Sequence, residues 1–398
     1  MKYVILVPDG MADYPQESLD NKTPLEAANT PNMDSLVREG VLGQVSTIPQ
    51  GMTPASDVAN MSILGYDPAK YYSGRGPLEA ANLGVNLADD DVAFRCNLIT
   101  YGDDVMVDYS AGHISNKEAE ALIEFLGRKL KNSDYKFYSG VSYRHLFVVK
   151  DKGRSLDRVK CVPPHDILNQ KISKNLPRGK NADALVDLME ESRAILSAHE
   201  INKVRIDLGE NPANMIWLWG QGKKPNMPTY LERFHKTGAV ISAVDLIKGL
   251  GRILGLDAVN VPGATGYYDT DYQAKADYAI RALRNKDFVY VHVEAPDEAG
   301  HNGETREKII AIERFDNHIV GSFLKHFQQT KEEHRILVLP DHATPVSVRT
   351  HVSDPVCFCL AGKGVIPNGF QQMSEQVAKE SKVNFSSGVE LIEDFFKQ

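Results

Sequence analysis

Apolar residues gather in short runs at both ends of the chain. The runs cover residues 2–8, 238–242, 287–293, 335–340 and 356–361. Each stops at a turn or polar residue and is too short for a helix, so each predicts a buried strand of a mostly parallel sheet. Between them the apolar period changes to that of a helix. Thr30-Pro31 opens one helix that stops at Gly40, with Thr at the N-cap and Pro in the first turn. Others are predicted over 243–254, 272–283 and 304–327. Strands alternating with helices predict a doubly wound α/β sheet.

The middle of the chain has another texture. Alternating strand segments at 92–100 and 143–150 lie among two amphipathic helices. Ala119, Leu122, Ile123, Leu126 and Leu130 share one helical face; Ala182, Leu185, Val186, Met189 and Leu196 share another. The pattern predicts an α+β domain at 78–214 inserted into a core made of 1–77 and 215–398. Its linkers are predicted at SGRGP, residues 73–77, and at residues 212–225.

At 398 residues, two domains is also the natural prior from length. The formal net charge of −8, with no Lys/Arg block, excludes nucleic acid and anionic membrane as expected partners. No apolar stretch is long enough for a membrane span, and MKYVILVPDG lacks the apolar region of a signal peptide. Four cysteines in a chain this long form no disulfide framework and fit a reducing cytoplasm. Cys357 and Cys359, spaced C-x-C, read as small buried residues on one strand face.

The candidate chemistry sits where the strands end. Asp9 closes the first strand; Asp297 and His301 follow VYVHV; Asp341 and His342 follow RILVLP; His351 comes shortly after. Ligands of open α/β sheets bind beyond the carboxyl ends of the strands, so these residues converge if their strands are neighbours. Carboxylate oxygen with imidazole nitrogen suits Mn, Zn or Mg-type ions. Ser56, in TPASD ahead of an apolar helical pattern, is the candidate nucleophile. Taken alone, such a serine is more often a helix cap. At a helix N-terminus it would lie beside backbone N–H groups that favour anions, and metal coordination would activate its hydroxyl. No phosphate-binding G-x-x-x-x-G-K-[ST] loop occurs.

The motifs PDG, TPASD, PDEAGH, PDH and THVSDP, in this order, resemble those of the phosphoglycerate mutases that work without 2,3-bisphosphoglycerate, in particular their shorter, archaeal-type branch. MKYVILVPDGMADYP, TPNMDSLVREG, GPLEAANLG and GATGYYDTDYQAKAD extend the resemblance over the whole length. It implies an alkaline-phosphatase-like core with an inserted cap domain. It implies a step of glycolysis and gluconeogenesis, the interconversion of 2-phosphoglycerate and 3-phosphoglycerate through a phosphoserine at Ser56. It implies two divalent ions, Mn favoured: one held by Asp297, His301 and His351, the other by Asp9, Ser56, Asp341 and His342. The longer branch has Glu where this chain has Asp57. Proposed homoserine kinases share the branch and give the nearest alternative; a plain metal-dependent phosphomonoesterase and a non-catalytic metal-binding protein are the others.

The substrate, a small phosphorylated hydroxy acid, needs cationic partners for its phosphate and carboxylate. Candidates are Arg144 in SYRHLF, Arg75 in SGRGP, Lys275 in YQAKAD, the pair His165-Asp166 in VPPHD, and His113 in SAGHIS.

Overall fold

The computed structural model describes residues 1–397 and divides into two units, Met1–Tyr72 with Met227–Gln398, and Ser73–Asn226. Each has its own apolar core. That of the first gathers Val4, Leu6, Ile241, Val289, Val291, Ile336 and Val338, and that of the second Phe94, Leu98, Leu122, Phe147, Met189 and Trp217.

An eight-stranded sheet builds the first unit. Strand Lys2–Pro8 lies at its centre, parallel to Phe288–Val293 on one side and to His334–Val338 on the other. Gly238–Ile241 and Asp257–Val259 extend the sheet in the same direction beyond Phe288–Val293. All residues of Phe288–Val293 are buried, as are Tyr3 to Pro8 of the first strand, which is why these strands read as unbroken apolar runs. The three central strands are parallel neighbours, so their carboxyl ends open at one edge of the sheet.

Two details differ from the sequence pattern. Val356–Gly362, expected to be parallel, runs antiparallel to His334–Val338 and to Gly40–Val45. A fully buried strand shows the same apolar run in either direction, so its sense is set by its connections and not by its composition. The helix predicted over 304–327 is three segments: helix Thr305–Arg314, a π-helical stretch Phe315–Val320 and helix Gly321–Thr330. The buried Asp316 of that stretch accepts hydrogen bonds from the backbone of Asn32 and Met33, at 3.2 and 2.7 Å. It thereby caps helix Pro31–Arg38, a task the pattern gave to Thr30, whose side chain makes no capping bond.

In the second unit, the central strand Asp91–Gly102 pairs with Arg144–Lys150, Val105–Asp108 and Met215–Lys223. Helix Asn116–Lys129 starts from a Ser115–Glu118 capping box, and helix Asp183–Ser197 buries Leu185, Met189 and Leu196. The segments predicted as linkers are ordered elements here. Arg75 begins helix Arg75–Asn82, and residues 215–223 form a strand rather than a connection. The unit therefore starts before residue 78 and continues past residue 214. Trp217, Leu218 and Trp219 belong to its core, and pairing with Asp91–Gly102 holds them there.

Candidate active site

Asp9, Asp297 and Asp341 arrive at one place because their strands are adjacent. Asp9 follows the first strand directly. Asp341 and His342 follow His334–Val338 by three and four residues. Asp297 and His301 lie one helical turn apart on helix Ala295–Asn302, which leaves the third strand. The turn after Asp9 depends on Gly10, at φ +63°, where a Cβ would stand 2.5 Å from Asp297 Oδ1. Only glycine allows both that conformation and that approach.

Two groups of closely spaced carboxylate and imidazole atoms result. Nε2 of His301 lies 3.2 Å from Asp297 Oδ2, and Nε2 of His351 lies 3.5 Å from Asp297 Oδ1. The two nitrogens face each other at 2.9 Å. The other nitrogen of His301, Nδ1, faces the Arg349 carbonyl at 3.0 Å, which leaves Nε2 free to serve as a ligand. In the second set, His342 Nε2 lies 3.5 Å from both Asp9 Oδ1 and Asp341 Oδ2. Asp341 Oδ1 accepts from the backbone N–H groups of Gly10 and His342.

Such a cluster is electrostatically unfavourable by itself. Burial, then the Asp341 and Asp297 carboxylates, pushes the Asp9 pKa well above the ordinary range. Burial also raises that of Asp341, but His342 and His292 outweigh it and bring the group below the usual carboxylate value. Asp9 Oδ1 is buried and, among the described residues, has no hydrogen-bond donor. An orphaned buried carboxylate oxygen among converging imidazoles and carboxylates fits a divalent cation. The close groupings are Asp297–His301–His351, Asp9–Asp297–His342 and Asp9–His292–Asp341.

Ser56 is the first residue of helix Ser56–Ile63, and its side chain caps nothing. The cap position is Ala55, so the simple capping role does not apply and the hydroxyl is available. Its Oγ lies 3.1 Å from His342 Nε2. Asn60, one turn on, donates 2.8 Å to the Ser56 carbonyl and 2.7 Å to Asp341 Oδ2, and accepts from the Tyr290 hydroxyl. The serine's helix is thereby fastened to Asp341. Asp57 caps its own backbone through Val58 and accepts from Tyr72 at 2.5 Å.

Lys275, a candidate substrate cation, is turned inward and paired. It is fully buried and donates 2.9 Å to Glu294 Oε2 and 3.1 Å to the His292 carbonyl. The YQAKAD pattern leaves a substrate cation and a solvated charge as alternatives, but this lysine is on the inward face of its helix. Glu294 in turn lies 3.3 Å from His292 Nδ1, and His292 Nε2 lies 3.3 Å from Asp9 Oδ2. Burial pushes the Glu294 carboxyl up, but Lys275 and His292 hold it well below the carboxylate range. This buried Lys275–Glu294–His292 chain behind Asp9 was missed in the sequence. Its signal was HVE, a histidine in an otherwise apolar strand with a glutamate just past its end. Lys275→Met leaves Glu294 buried without its cation and is expected to cost about 3–5 kcal/mol of stability. Urea unfolding monitored by circular dichroism checks this.

The other expected contacts belong to the second unit. In its sheet, Arg95 and Asn97 alternate with the core residues Phe94, Cys96 and Leu98. The register sets Arg144 opposite Asn97 and Trp219 opposite Arg95. The Arg95 and Arg75 guanidiniums lie over the Trp219 ring at 5.0 and 5.6 Å, and His165 meets its edge at 5.4 Å. Arg95, also missed in the sequence, pairs with Glu79 at 2.9 Å. Burial lowers its pKa, Glu79 opposes this, and Arg75 and Arg144 add to the lowering. Nε of Arg95 and of Arg144 is buried and, among the described residues, unpartnered. Asp166 lies 3.6 Å from His165 and is exposed. His113, at φ +50°, lies edge-on to Tyr143 at 6.2 Å. Three guanidiniums that repel one another, two with an unused donor, form a surface suited to an anion.

An α/β sheet that brings a serine hydroxyl to a carboxylate–imidazole cluster at its carboxyl edge is the arrangement of a phosphoryl-transfer enzyme. A family model for 2,3-bisphosphoglycerate-independent phosphoglycerate mutase matches residues 37–202. The chain is 52% identical over 394 residues to the 2,3-bisphosphoglycerate-independent phosphoglycerate mutase of Methanosarcina acetivorans, covering 98% of each chain. It is 46% identical over 398 residues to a probable enzyme of the same name from Geobacter sulfurreducens, covering 99% of each. Among solved structures, the PH0037 protein from Pyrococcus horikoshii superposes with a TM-score of 0.85 at 30% identity, covering 99% of this chain and 97% of that one. The cofactor-independent phosphoglycerate mutase of Thermoplasma acidophilum does so with a TM-score of 0.69 at 30% identity, covering 99% of both. The chain belongs to the family of 2,3-bisphosphoglycerate-independent phosphoglycerate mutases, isomerases that interconvert 2-phosphoglycerate and 3-phosphoglycerate. No helix among the described residues is long and apolar enough to cross a membrane.

Proposed function

We propose that this mutase works through Ser56 as the phosphoryl carrier. The observation that carries the reading is the Ser56 hydroxyl, unused as a cap, 3.1 Å from His342 beside the Asp9–Asp341 pair. Asp9, Ser56, Asp341 and His342 would hold one divalent ion, and Asp297, His301 and His351 a second. Such ions, Mn favoured over Mg or Zn, lower the pKa of a serine hydroxyl and neutralise phosphate charge.

The chain's own residues then divide the work. Ser56 Oγ loses its proton and forms a bond to phosphorus as the bond to the substrate oxygen breaks; the freed glycerate oxygen takes up a proton. Glycerate turns over, its other hydroxyl attacks the phosphoserine and gives up its proton, and Ser56 is restored. The N–H groups at the start of helix Ser56–Ile63 favour the phosphoryl oxygens. Asn60 keeps Ser56 in register with Asp341.

Glycerate must be retained between the half-reactions, and its carboxylate is the group to hold. Arg144, with Arg75 and Arg95, would supply bidentate donors for it. Arg144→Ala is expected to lower mutase activity by on the order of 10- to 1000-fold, about 1.4–4 kcal/mol of transition-state stabilisation. Phosphate release per mutase turnover should rise, because water then competes for the phosphoserine. Unchanged rates and release would make Arg144 a structural charge and leave retention to Arg75, Arg95 and His165.

The test is a substrate panel with Mn-loaded protein: 3-phosphoglycerate, homoserine with ATP, and p-nitrophenyl phosphate. Conversion of 3-phosphoglycerate to 2-phosphoglycerate is the expected result. Turnover of p-nitrophenyl phosphate alone, or of homoserine alone, would contradict it.

A further inference from the structure

Outside the ligand clusters, the fully buried Lys308 is a polar group that joins several segments. It projects from helix Thr305–Arg314, which follows helix Ala295–Asn302 after a single glycine turn at Gly303. Its ammonium has three N–H donors and meets three acceptors. Asp13 Oδ2 lies at 2.7 Å, the Thr344 carbonyl at 2.9 Å and the Ala12 carbonyl at 3.3 Å.

Each acceptor belongs to a segment that leads to the active site. Ala12 and Asp13 follow Asp9 and Gly10 in the loop after the first strand. Thr344 follows Asp341 and His342. The Thr344 hydroxyl donates to Asp297 Oδ1 and lies 3.2 Å from His342 Nδ1. The lysine's own helix continues from the one bearing Asp297 and His301. Close packing reinforces the join: a Cβ on Gly300 would collide with the Thr344 carbonyl.

The two loops also bind each other. Thr344 N donates to the Ala12 carbonyl at 3.2 Å, and bridges connect Met11 and Ala12 with Ala343, and Ala343 with Val352 next to His351. Asp13 Oδ2 accepts from Val346 N as well as from Lys308. The backbone N–H of Asp13 donates to Glu375, which accepts from Thr23. Lys308 is therefore where the Asp9 loop, the 341–351 loop and the Asp297–His301 helix meet on one charged group.

We propose that Lys308 is a positioning residue for the metal centre: it fixes the spacing between the Asp9 loop and the 341–344 loop, so that Asp9, Asp341 and His342 converge on one ion. A hydrophobic residue of similar size fills the same volume but leaves the Ala12 and Thr344 carbonyls without this donor, and the loops keep only their direct links, Thr344 N to the Ala12 carbonyl, Val346 N to Asp13 and the bridges at Ala343. The proposal rests on the ligand assignment above, and the experiment separates the two.

Mn binding is measured by calorimetry on metal-free protein, with circular dichroism to establish folding. The variants are Lys308→Met, the apolar pair Lys308→Met/Asp13→Leu, and Asp316→Asn, which disturbs a buried helix cap away from the ligands. The apolar pair removes both charges and so avoids an unpaired buried carboxylate, which keeps a folded sample in hand if Lys308→Met fails to fold. Expected is about 10- to 100-fold weaker Mn binding in the folded Lys308 variants, the scale of lost support behind metal ligands. Asp316→Asn should bind Mn as the parent does. Parent-like Mn affinity in a folded Lys308 variant overturns the positioning role. Equal weakening in Asp316→Asn does the same, since it would make the effect general destabilisation. Failure of the parent protein to bind Mn would instead remove the ligand assignment.

Discussion

Replacing Ser56 with alanine is expected to lower phosphoglycerate mutase turnover by more than about 10⁴-fold, the scale on which loss of a nucleophile acts in enzymes with covalent intermediates. Neither Thr53 nor Ser62 offers a hydroxyl in its place. Thr53 precedes the helix, and Ser62 is buried and accepts from the backbone of Gly388. Folding should be almost unaffected, because the Ser56 side chain makes no capping bond. Coupled enolase assays give the rate, and thermal melts of the two proteins should superpose. A variant with even one-tenth of parental activity would mean that the phosphoryl group goes directly between substrate oxygens or through another residue.

The second large effect concerns the ligand clusters. His351→Ala removes one of the two nitrogens that face Asp297, and Asp9→Asn removes the charge of a buried carboxylate in the other cluster. Each should weaken Mn binding at its own site by at least on the order of 10²-fold, and activity should fall with it. A parent protein with two binding events should become one with a single tight event in either variant. Chelation should silence the parent reversibly. Full activity in excess chelator, with elemental analysis showing no metal, would contradict a metal-dependent mechanism.

The parts of this site that were legible in the sequence are those in which local pattern and chemistry coincide. Asp9, Asp297 and Asp341 each follow an apolar run, and a carboxylate placed there has one place to go in a parallel sheet. The order of the strands is not written locally. That Lys2–Pro8 lies between Phe288–Val293 and His334–Val338 follows from pairings between segments far apart in sequence. The antiparallel sense of Val356–Gly362 was hidden for a related reason, since burial on both faces removes the alternation that would show orientation.

Buried polar groups were the hardest to read. His292, Glu294 and Lys275 satisfy one another across the fold, and Lys308 is satisfied by two distant loops. Each residue alone resembles a surface charge, and only its partner reveals that it faces inward. Arg95 is similar: in DVAFRCNLI it interrupts a strand, and the register that places it beside Trp219 and near Arg144 comes from pairing. The boundary of the second unit was obscured because residues 215–223 combine glycines typical of a connection with tryptophans that belong to a core.

The most direct test of the account is a rapid-quench experiment. Mn-loaded protein is mixed with 3-phosphoglycerate carrying a labelled phosphoryl group, stopped in acid within the first turnover, digested and mapped by mass spectrometry. The account predicts label on the peptide containing Ser56, with the phosphate on Ser56 itself, formed and discharged at rates no slower than mutase turnover. Label on Thr53 or Ser62, or an unlabelled protein during full conversion to 2-phosphoglycerate, would contradict it.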